Sequence, residues 1–245
     1  NILEVNPAVA GVRIQPVLSY DLIYGFEKLS DMSSRKNAYA AINCGFFHEF
    51  GLPAGMVVID GEMFCASTGR YPVFMMEKGK ASLEEITSKL AIEYTREAVG
   101  ESADAAMKVD SAKVDGLKLI NTGSFPVDIY NFPASGREIA VYTPYYGKTN
   151  RADRKNITAT IVNGTVEKIA FYPGETGIPS EGMLVSFFDT QKYTGIETPL
   201  RVGDAVRLEH LPVVRENADA YECGCWLVRD GKPAAPEKDP WIGVL

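Results

Sequence analysis

A short segment that begins at residue 43 contains three side chains that could take part in acid–base or anion chemistry. Asn43 follows an apolar run and precedes Gly45, a setting in which backbone N–H groups can converge on an anion. His48 could act as an acid or a ligand, and Glu49 adds a carboxylate beside it. The ordinary alternatives are a turn-forming asparagine, a turn glycine and two solvated loop residues.

A second group of candidate residues lies near a predicted strand in the middle of the chain. Tyr142 and Thr143 end the alternating run of residues 138–143, so they could contact a substrate at the end of the strand. Packing within the sheet is the alternative. Arg151 belongs to a basic cluster at residues 148–155 and could bind a phosphate, but Asp153 interrupts the cluster, which is also typical of a solvated loop.

Composition excludes several classes of protein and partner. The 245 residues are 46% hydrophobic and 23% charged, which is ordinary for a soluble globular chain. The net charge of −7 makes nucleic acid a poor partner, because binding to phosphate backbones requires a basic face. No apolar run approaches the roughly 18 residues that a membrane-spanning helix requires. The chain begins at Asn1 and shows no signal peptide, so localisation is not directly readable.

The sequence predicts no metal site and no cofactor. The chain has four cysteines and two histidines, and the pair Cys223 and Cys225 has the wrong spacing for a zinc knuckle. Neither a glycine-rich phosphate loop nor a Gly-x-Ser-x-Gly elbow occurs. Nucleotide-dependent enzymes and serine hydrolases of those kinds are therefore set aside.

The hydrophobic pattern predicts an α+β fold with β-rich mixed or antiparallel sheets and one short N-terminal amphipathic helix. Period-2 alternation predicts a strand over residues 11–18, and apolar spacing of three predicts the helix over residues 25–37. An apolar run predicts a short buried strand over residues 38–43. Turn pairs predict hairpins at Asp60-Gly61, Lys78-Gly79, Asn163-Gly164 and Asp230-Gly231. We expect one domain over residues 1–245, since no linker divides the chain.

Six segments, in the same order along the chain, resemble the phosphodiester glycosidase family. The first is Ala-Ala-Ile-Asn-Cys-Gly-Phe-Phe at residues 40–47, which follows the predicted helix. The others span residues 51–61, 141–147, 178–186, 202–206 and 226–231. Together they cover nearly the whole chain, and their shared order is far more specific than any single segment.

The resemblance implies hydrolysis of a glycosyl-1-phosphodiester on cell-surface or secreted glycans, with an extracellular or cell-surface location. Such a reaction needs a positive group to hold the phosphate and a carboxylate to stabilise the positive charge that develops at the anomeric carbon. On this basis Asn43, His48 and Glu49 are the candidate catalytic residues. The candidate substrate-binding residues are Gly45, Tyr142, Thr143 and Arg151.

The sequence departs from the family pattern in three places. Cys44 stands where the family usually has glycine, and residues 222–225 carry two cysteines in a run that is usually richer in glycine. These two departures suggest that Cys44 lies near Cys223 or Cys225, as a disulfide or as neighbouring thiols. The family's C-terminal catalytic segments do not occur before Leu245, so we expect this chain to be an incomplete form. A non-catalytic carbohydrate-binding or surface module of the same ancestry is therefore the alternative.

Overall fold

The computed structural model describes residues 3–98, 119–193 and 198–238, and most of their regular structure is strand. The α-helix α1 spans Leu29–Arg35, and 3-10 turns span Ser19–Asp21, Glu49–Gly51 and Pro144–Tyr146. The strands are β1 Val57–Ile59, β2 Glu62–Cys65, β3 Val73–Glu77, β4 Lys80–Glu84, β5 Lys89–Ala98, β6 Leu119–Val127, β7 Ile129–Tyr130, β8 Ile139–Tyr142, β9 Ile157–Val162, β10 Thr165–Phe171, β11 Gly182–Phe187, β12 Ala205–Leu211, β13 Asp219–Glu222, β14 Val228–Arg229 and β15 Lys232–Pro233.

Within the described ranges, these strands form three sheets. An antiparallel five-stranded sheet has the order β2-β1-β13-β3-β4, and an eight-stranded sheet has the order β6-β5-β12-β10-β9-β11-β8-β7. Only the β7–β8 pair of the larger sheet is parallel, and β14 pairs with β15 in a small ribbon. The predicted β-rich architecture with mixed and antiparallel sheets is confirmed, although helices contribute less than an α+β description suggests.

All four predicted hairpins are present, and their turn residues have the required backbone geometry. Asp60 and Gly61 join β1 to β2 with φ values of 55° and 81°. Asn163 and Gly164 join β9 to β10 with φ values of 47° and 74°. Positive φ at both central residues is the type I′ arrangement, whose twist matches that of antiparallel strands. The turns 78–79 and 230–231 repeat the pattern.

The N-terminal third differs from the sequence prediction. The helix forms within the predicted range, but none of its residues is buried, and Phe26 lies before it with 64% exposure. The predicted strands over residues 11–18 and 38–43 are absent, although both segments lack helix as expected. In the second segment Tyr39 and Ile42 are 103% and 70% exposed. A strand needs a hydrogen-bonded neighbour, and no described strand pairs with either segment.

The hydrophobic core lies on both faces of the strands β8 and β11. Ile139 and Val141 of β8 belong to a cluster that also includes Val58 and Met75 of the five-stranded sheet. The alternate residues, Ala140 and Tyr142, belong to a second cluster. This second cluster is covered by Leu18 and Ile23 of the N-terminal segment and by Leu52 of the loop before β1. Because both faces of β8 are covered, all four of its residues are buried. Its sequence is accordingly a continuous apolar run and does not alternate with polar residues.

A buried ion pair fastens the start of β12 to β5. The Asp204 carboxylate is 1% exposed and accepts hydrogen bonds from Arg96 Nε at 2.7 Å and Arg96 Nη2 at 2.6 Å. It also accepts a bond of 2.7 Å from the backbone N–H of Arg201. Without Asp204, the Arg96 guanidinium would keep its hydrogen bond to the Pro199 carbonyl but lose its carboxylate partner, and the Arg201 N–H would lose its acceptor.

We expect Asp204→Ala to destabilise the fold by about 3 kcal/mol, because it leaves a partly buried guanidinium without its carboxylate partner and a backbone donor without an acceptor. Urea denaturation followed by circular dichroism measures this loss. Arg207→Ala is the matched control, since Arg207 contacts Glu93 and Glu209 at the exposed surface of the same strand. Equal destabilisation by both substitutions would contradict a special role for Asp204.

Candidate functional site

The candidate site is built around the segment of residues 43–52, which we call the site loop. Its shape is fixed by backbone hydrogen bonds from His48 to the Leu52 carbonyl at 2.7 Å and from Ala54 to the Phe46 carbonyl at 2.9 Å. The backbone N–H of Gly25 donates to the Phe50 carbonyl at 2.7 Å. The site loop is therefore tied both to itself and to the N-terminal segment, without belonging to a sheet.

Three successive side chains of the site loop contact three separate parts of the fold. The Phe46 ring lies 5.6 Å from Tyr71, and the Phe47 ring lies 5.8 Å from Phe26, measured between ring centroids. The His48 ring meets Phe132 edge to face at 4.9 Å. The contact with Phe132 places the His48 side chain against the segment that follows β7.

Gly45 brings the site loop against the end of β13. Its φ is +47°, in the region that glycine adopts most easily, and a Cβ atom at this position would lie 3.4 Å from the Glu222 carbonyl oxygen. Cys44, the residue that departs from the family pattern, does not have a positive φ. The positive-φ backbone lies one residue later, at Gly45.

The candidate catalytic residues differ in how firmly they are held. Asn43 and Glu49 are exposed, and neither side chain forms a hydrogen bond or ion pair with another described residue. His48 is half-buried and held against Phe132. Burial lowers the pKa of the His48 imidazole, and the positive charge of Arg70 lowers it further. His48 thus combines a fixed ring contact with a lowered pKa.

Arg151 is exposed and stacks on two tyrosine rings. Its guanidinium carbon lies 4.0 Å from the centroid of the Tyr24 ring and 5.8 Å from that of Tyr146. The two tyrosine rings meet edge to face, with their centroids 5.3 Å apart. Burial raises the pKa of Tyr24. Both phenols therefore remain neutral beside the guanidinium.

The residue before Arg151 anchors its loop. Asn150 is 2% exposed, and its Oδ1 accepts a hydrogen bond of 2.8 Å from the Thr176 backbone. Its amide nitrogen donates to Ser186 Oγ of β11 at 3.3 Å. Since Arg151 has a φ of 50°, this anchor holds a backbone shape that few non-glycine residues adopt. The hydrogen bonds of Asn150 therefore fix the backbone from which the Arg151 side chain extends.

Tyr142 and Thr143 take part in packing at the end of β8. Tyr142 is 1% exposed, and its ring lies 4.7 Å from that of Tyr146. Thr143 Oγ1 accepts a hydrogen bond of 2.8 Å from the side-chain amide of Asn131, which accepts one of 2.8 Å from the Thr143 backbone. Tyr142 therefore packs against Tyr146, which in turn packs against Tyr24, the ring on which Arg151 stacks. A direct contact of Tyr142 or Thr143 with substrate stays a prediction.

The predicted residues fall into one connected region with two parts. Asn43, Gly45, His48 and Glu49 lie on the site loop, and Arg151 lies on Tyr24, the neighbour of Gly25. Gly25 and Gly51 approach so closely that a Cβ atom on Gly51 would lie 2.1 Å from the Gly25 carbonyl oxygen. The N-terminal segment therefore connects the two parts.

Glu222 is the main positioning residue that the sequence did not reveal. Its carboxylate is 5% exposed and accepts backbone hydrogen bonds from Met56 at 3.1 Å, Thr68 at 2.9 Å and Tyr71 at 3.2 Å. It also accepts one from the Thr68 hydroxyl. Nothing in the spacing of Glu222 indicates this role, because its partners lie more than 150 residues earlier in the chain. Arg70 and Tyr24 were also missed, since each acts through a partner that is distant in sequence.

Within residues 3–98, 119–193 and 198–238, no group of three or more histidine, cysteine, aspartate or glutamate side chains is arranged to hold a metal ion. No helix in those ranges is both long and apolar enough to cross a bilayer. The chemical groups that the region does offer are a guanidinium, an imidazole, aromatic rings and exposed backbone.

Comparisons with known proteins bear on the fold of the chain. No family model matches it, and no curated protein matches it. A hypothetical protein from Synechocystis superposes with a TM-score of 0.66 at 20% identity, over 95% of this chain and 40% of its own. A protein from Burkholderia pseudomallei K96243 described as "Putative exported protein" superposes with a TM-score of 0.58 at 19% identity, over 93% of this chain and 50% of its own. This chain thus spans half or less of either neighbour, and at these identities the likeness shows a shared fold alone.

We expect Glu222→Ala to lower the stability by about 4 kcal/mol, because three backbone donors and one hydroxyl lose a buried acceptor. Thr68→Val removes the hydroxyl bond to Glu222 and the bond that the same hydroxyl accepts from the Arg70 backbone, and should cost about 2 kcal/mol. Glu216→Ala, at an exposed position nearby in sequence, should have little effect. Thermal denaturation checks this order, and a Glu222→Ala protein as stable as the Glu216→Ala protein would contradict it.

The electrostatic environment of His48 predicts a titration midpoint below 6.5 in the folded protein. Replacing Arg70 with Gln should raise this midpoint, because it removes a positive charge that opposes protonation. His210, whose pKa burial also lowers, is the internal control and should not respond. Proton NMR of the two imidazoles over pH 4–9 measures both values.

The same shift has a consequence for stability. Because the unfolded chain binds protons near pH 6.5 while folded His48 resists them, stability should decline as pH falls below about 6.5. An unchanged His48 midpoint in Arg70→Gln would show that Arg70 does not act on this residue.

Proposed function

We propose that the chain binds and hydrolyses a glycosyl-1-phosphodiester at the surface formed by the site loop and Arg151. The observation that carries this proposal is the stacking of an exposed guanidinium on Tyr24, next to the loop that holds His48. The family resemblance of residues 40–47 and 141–147 supports the choice of reaction. Because this chain spans half or less of either structural neighbour, the activity of any longer protein that contains it belongs to the same proposal.

Arg151 is suited to a phosphodiester because its charge is not neutralised by a neighbour. Its guanidinium forms no ion pair with another described residue, whereas Arg35, Arg96 and Arg215 all contact carboxylates. Stacking uses the face of the guanidinium and leaves the N–H groups on its edge for an anion. An exposed cation in a chain of net charge −7 favours one local anion site over general affinity for anions.

His48 would act on a proton of the reaction. Its lowered pKa leaves the imidazole neutral near pH 7, so it suits acceptance of a proton from water better than donation. Water would attack the anomeric carbon, the bond from that carbon to the phosphate oxygen would break, and a phosphomonoester would leave. Asn43 would orient the sugar or the phosphate, and Glu49 would face the developing positive charge.

Aromatic side chains around the site loop would provide apolar surface for a sugar ring. Phe26, Phe47 and Phe50 are 64%, 59% and 68% exposed. Phe26 and Phe47 contact each other edge to face, so together they form a ridge beside the imidazole. A sugar needs both such a surface and polar groups at its edge, and the site loop offers both.

A second candidate function is binding of an anionic carbohydrate without hydrolysis. It is favoured by Asn43 and Glu49, whose side chains have no described partner to orient them. Catalytic groups are usually held by packing and by further hydrogen bonds. A module that only binds would keep the Arg151 stack and the aromatic ridge without needing oriented catalytic groups.

An extracellular or cell-surface location belongs to the same proposal. The exported character named for the Burkholderia neighbour supports it, as does the class of substrate, which occurs in surface glycans.

The proposal predicts release of free sugar from a panel of glycosyl-1-phosphodiesters. Arg151→Ala should raise KM by roughly tenfold or more by removing a charge-assisted contact with the phosphate. His48→Gln should lower kcat by roughly a hundredfold, since it removes the proton acceptor. Arg207→Ala should leave both parameters unchanged. Substrate-dependent thermal stabilisation without sugar release would select the binding module, and neither effect would contradict both functions.

A further inference from the structure

Two cysteines lie where the site loop meets the end of β13. Cys44 precedes Gly45, whose Cβ position would lie 3.4 Å from the Glu222 carbonyl oxygen. Two residues beyond Glu222, the Cβ position of Gly224 would lie 3.7 Å from the Phe46 ring. The segments 44–46 and 222–224 therefore lie against each other, which places Cys44 and Cys223 in the same part of the fold.

Electrostatic interactions agree with this arrangement. Burial raises the pKa of the Cys223 thiol, and the neighbouring Cys44 and Glu222 add to the increase. Burial also raises the pKa of Tyr221 to about 12, again with contributions from Cys223 and Cys44. Both cysteines are free thiols in this structure; Cys44 is exposed and Cys223 is half-buried.

We propose that Cys44 and Cys223 form a redox pair that closes to a disulfide and fastens the site loop to the end of β13. The oxidant is a small-molecule disulfide such as oxidised glutathione. This inference rests on the contacts between the two segments and does not depend on the proposed glycosidase function.

The exchange is balanced in two steps. Cys44 is the more exposed residue of the pair, although partial burial raises the pKa of its thiol. The Cys44 thiolate attacks one sulfur of glutathione disulfide and expels a glutathione thiolate. The Cys223 thiolate then attacks the Cys44 sulfur of the mixed disulfide, forms the protein disulfide and expels the second glutathione. The two cysteines lose two electrons and two protons, and glutathione disulfide gains both to become two thiols.

The remaining two cysteines provide comparisons for the proposed pair. Cys65 is buried in the core, and burial raises the pKa of its thiol to about 12, so it is a poor nucleophile in the folded protein. Cys225 is half-buried and separated from Cys223 by one glycine. Cys225 is therefore the appropriate comparison for the proposed pair.

The first test counts free thiols in denaturant after the folded protein has been exposed to oxidised glutathione and the reaction stopped with acid. The count should fall from four to two in the wild type and from three to one in Cys225→Ser. It should remain at three in Cys223→Ser once glutathione adducts are excluded by mass. Non-reducing peptide mapping of the wild-type protein should identify a single link, between Cys44 and Cys223. This map needs no variant and so does not depend on how any variant folds.

The second test measures the effect of the link on the fold. A disulfide between residues 44 and 223 closes a very long loop, so the oxidised wild type should melt roughly 5 °C or more above the reduced protein. Cys44→Ser should show no such difference. Four thiols remaining in the wild type, a link to Cys225 or a link between two molecules would each overturn the proposal. None of these measurements uses catalysis, so their failure would leave the glycosidase proposal intact.

Discussion

The arrangement of the candidate site depends on one buried carboxylate. Glu222 ends β13 and accepts hydrogen bonds from the backbone before β1 and from the segment between β2 and β3. Without Glu222, these segments would leave several N–H groups without acceptors. That loss would remove a large part of the free energy of unfolding of a marginally stable fold. The Cβ position of Gly55 would lie 2.5 Å from the same carboxylate, so only glycine leaves room for it there. One side chain thus fixes the loops on which the site loop rests.

From that base the site extends through contacts between side chains and not along a strand. Phe46 packs on Tyr71, which Glu222 holds, and His48 packs on Phe132 beyond the end of β7. On the other side, the backbone contact of Phe50 with Gly25 leads to Tyr24 and the Arg151 guanidinium. The His48 imidazole and the Arg151 guanidinium are therefore each held by a ring contact, although neither residue lies in a helix or a strand.

Local chemistry explains which features the sequence could predict. The hairpin at Asn163-Gly164 requires only two residues that accept positive φ between two β-branched runs, and this information lies within a few positions. The run 38–43 has the same apolar character, but a strand also needs a neighbour, and a distant part of the chain determines that. Glu222 and Tyr24 were missed for the same reason, because their partners are far away in sequence. Arg151 was found by charge alone, whereas its stacking on Tyr24 is a property of the fold.

The electrostatics of the site have a consequence for the order of events in the proposed reaction. Burial and the positive charge of Arg70 favour a neutral imidazole at His48. A phosphodiester bound near these residues would bring negative charge, which raises the pKa of a neighbouring imidazole and makes it a better proton acceptor. Binding would then strengthen the base only after the substrate has arrived. A site with a free carboxylate in place of Arg70 would already hold His48 protonated, and the proposed proton acceptor would be lost before the reaction began.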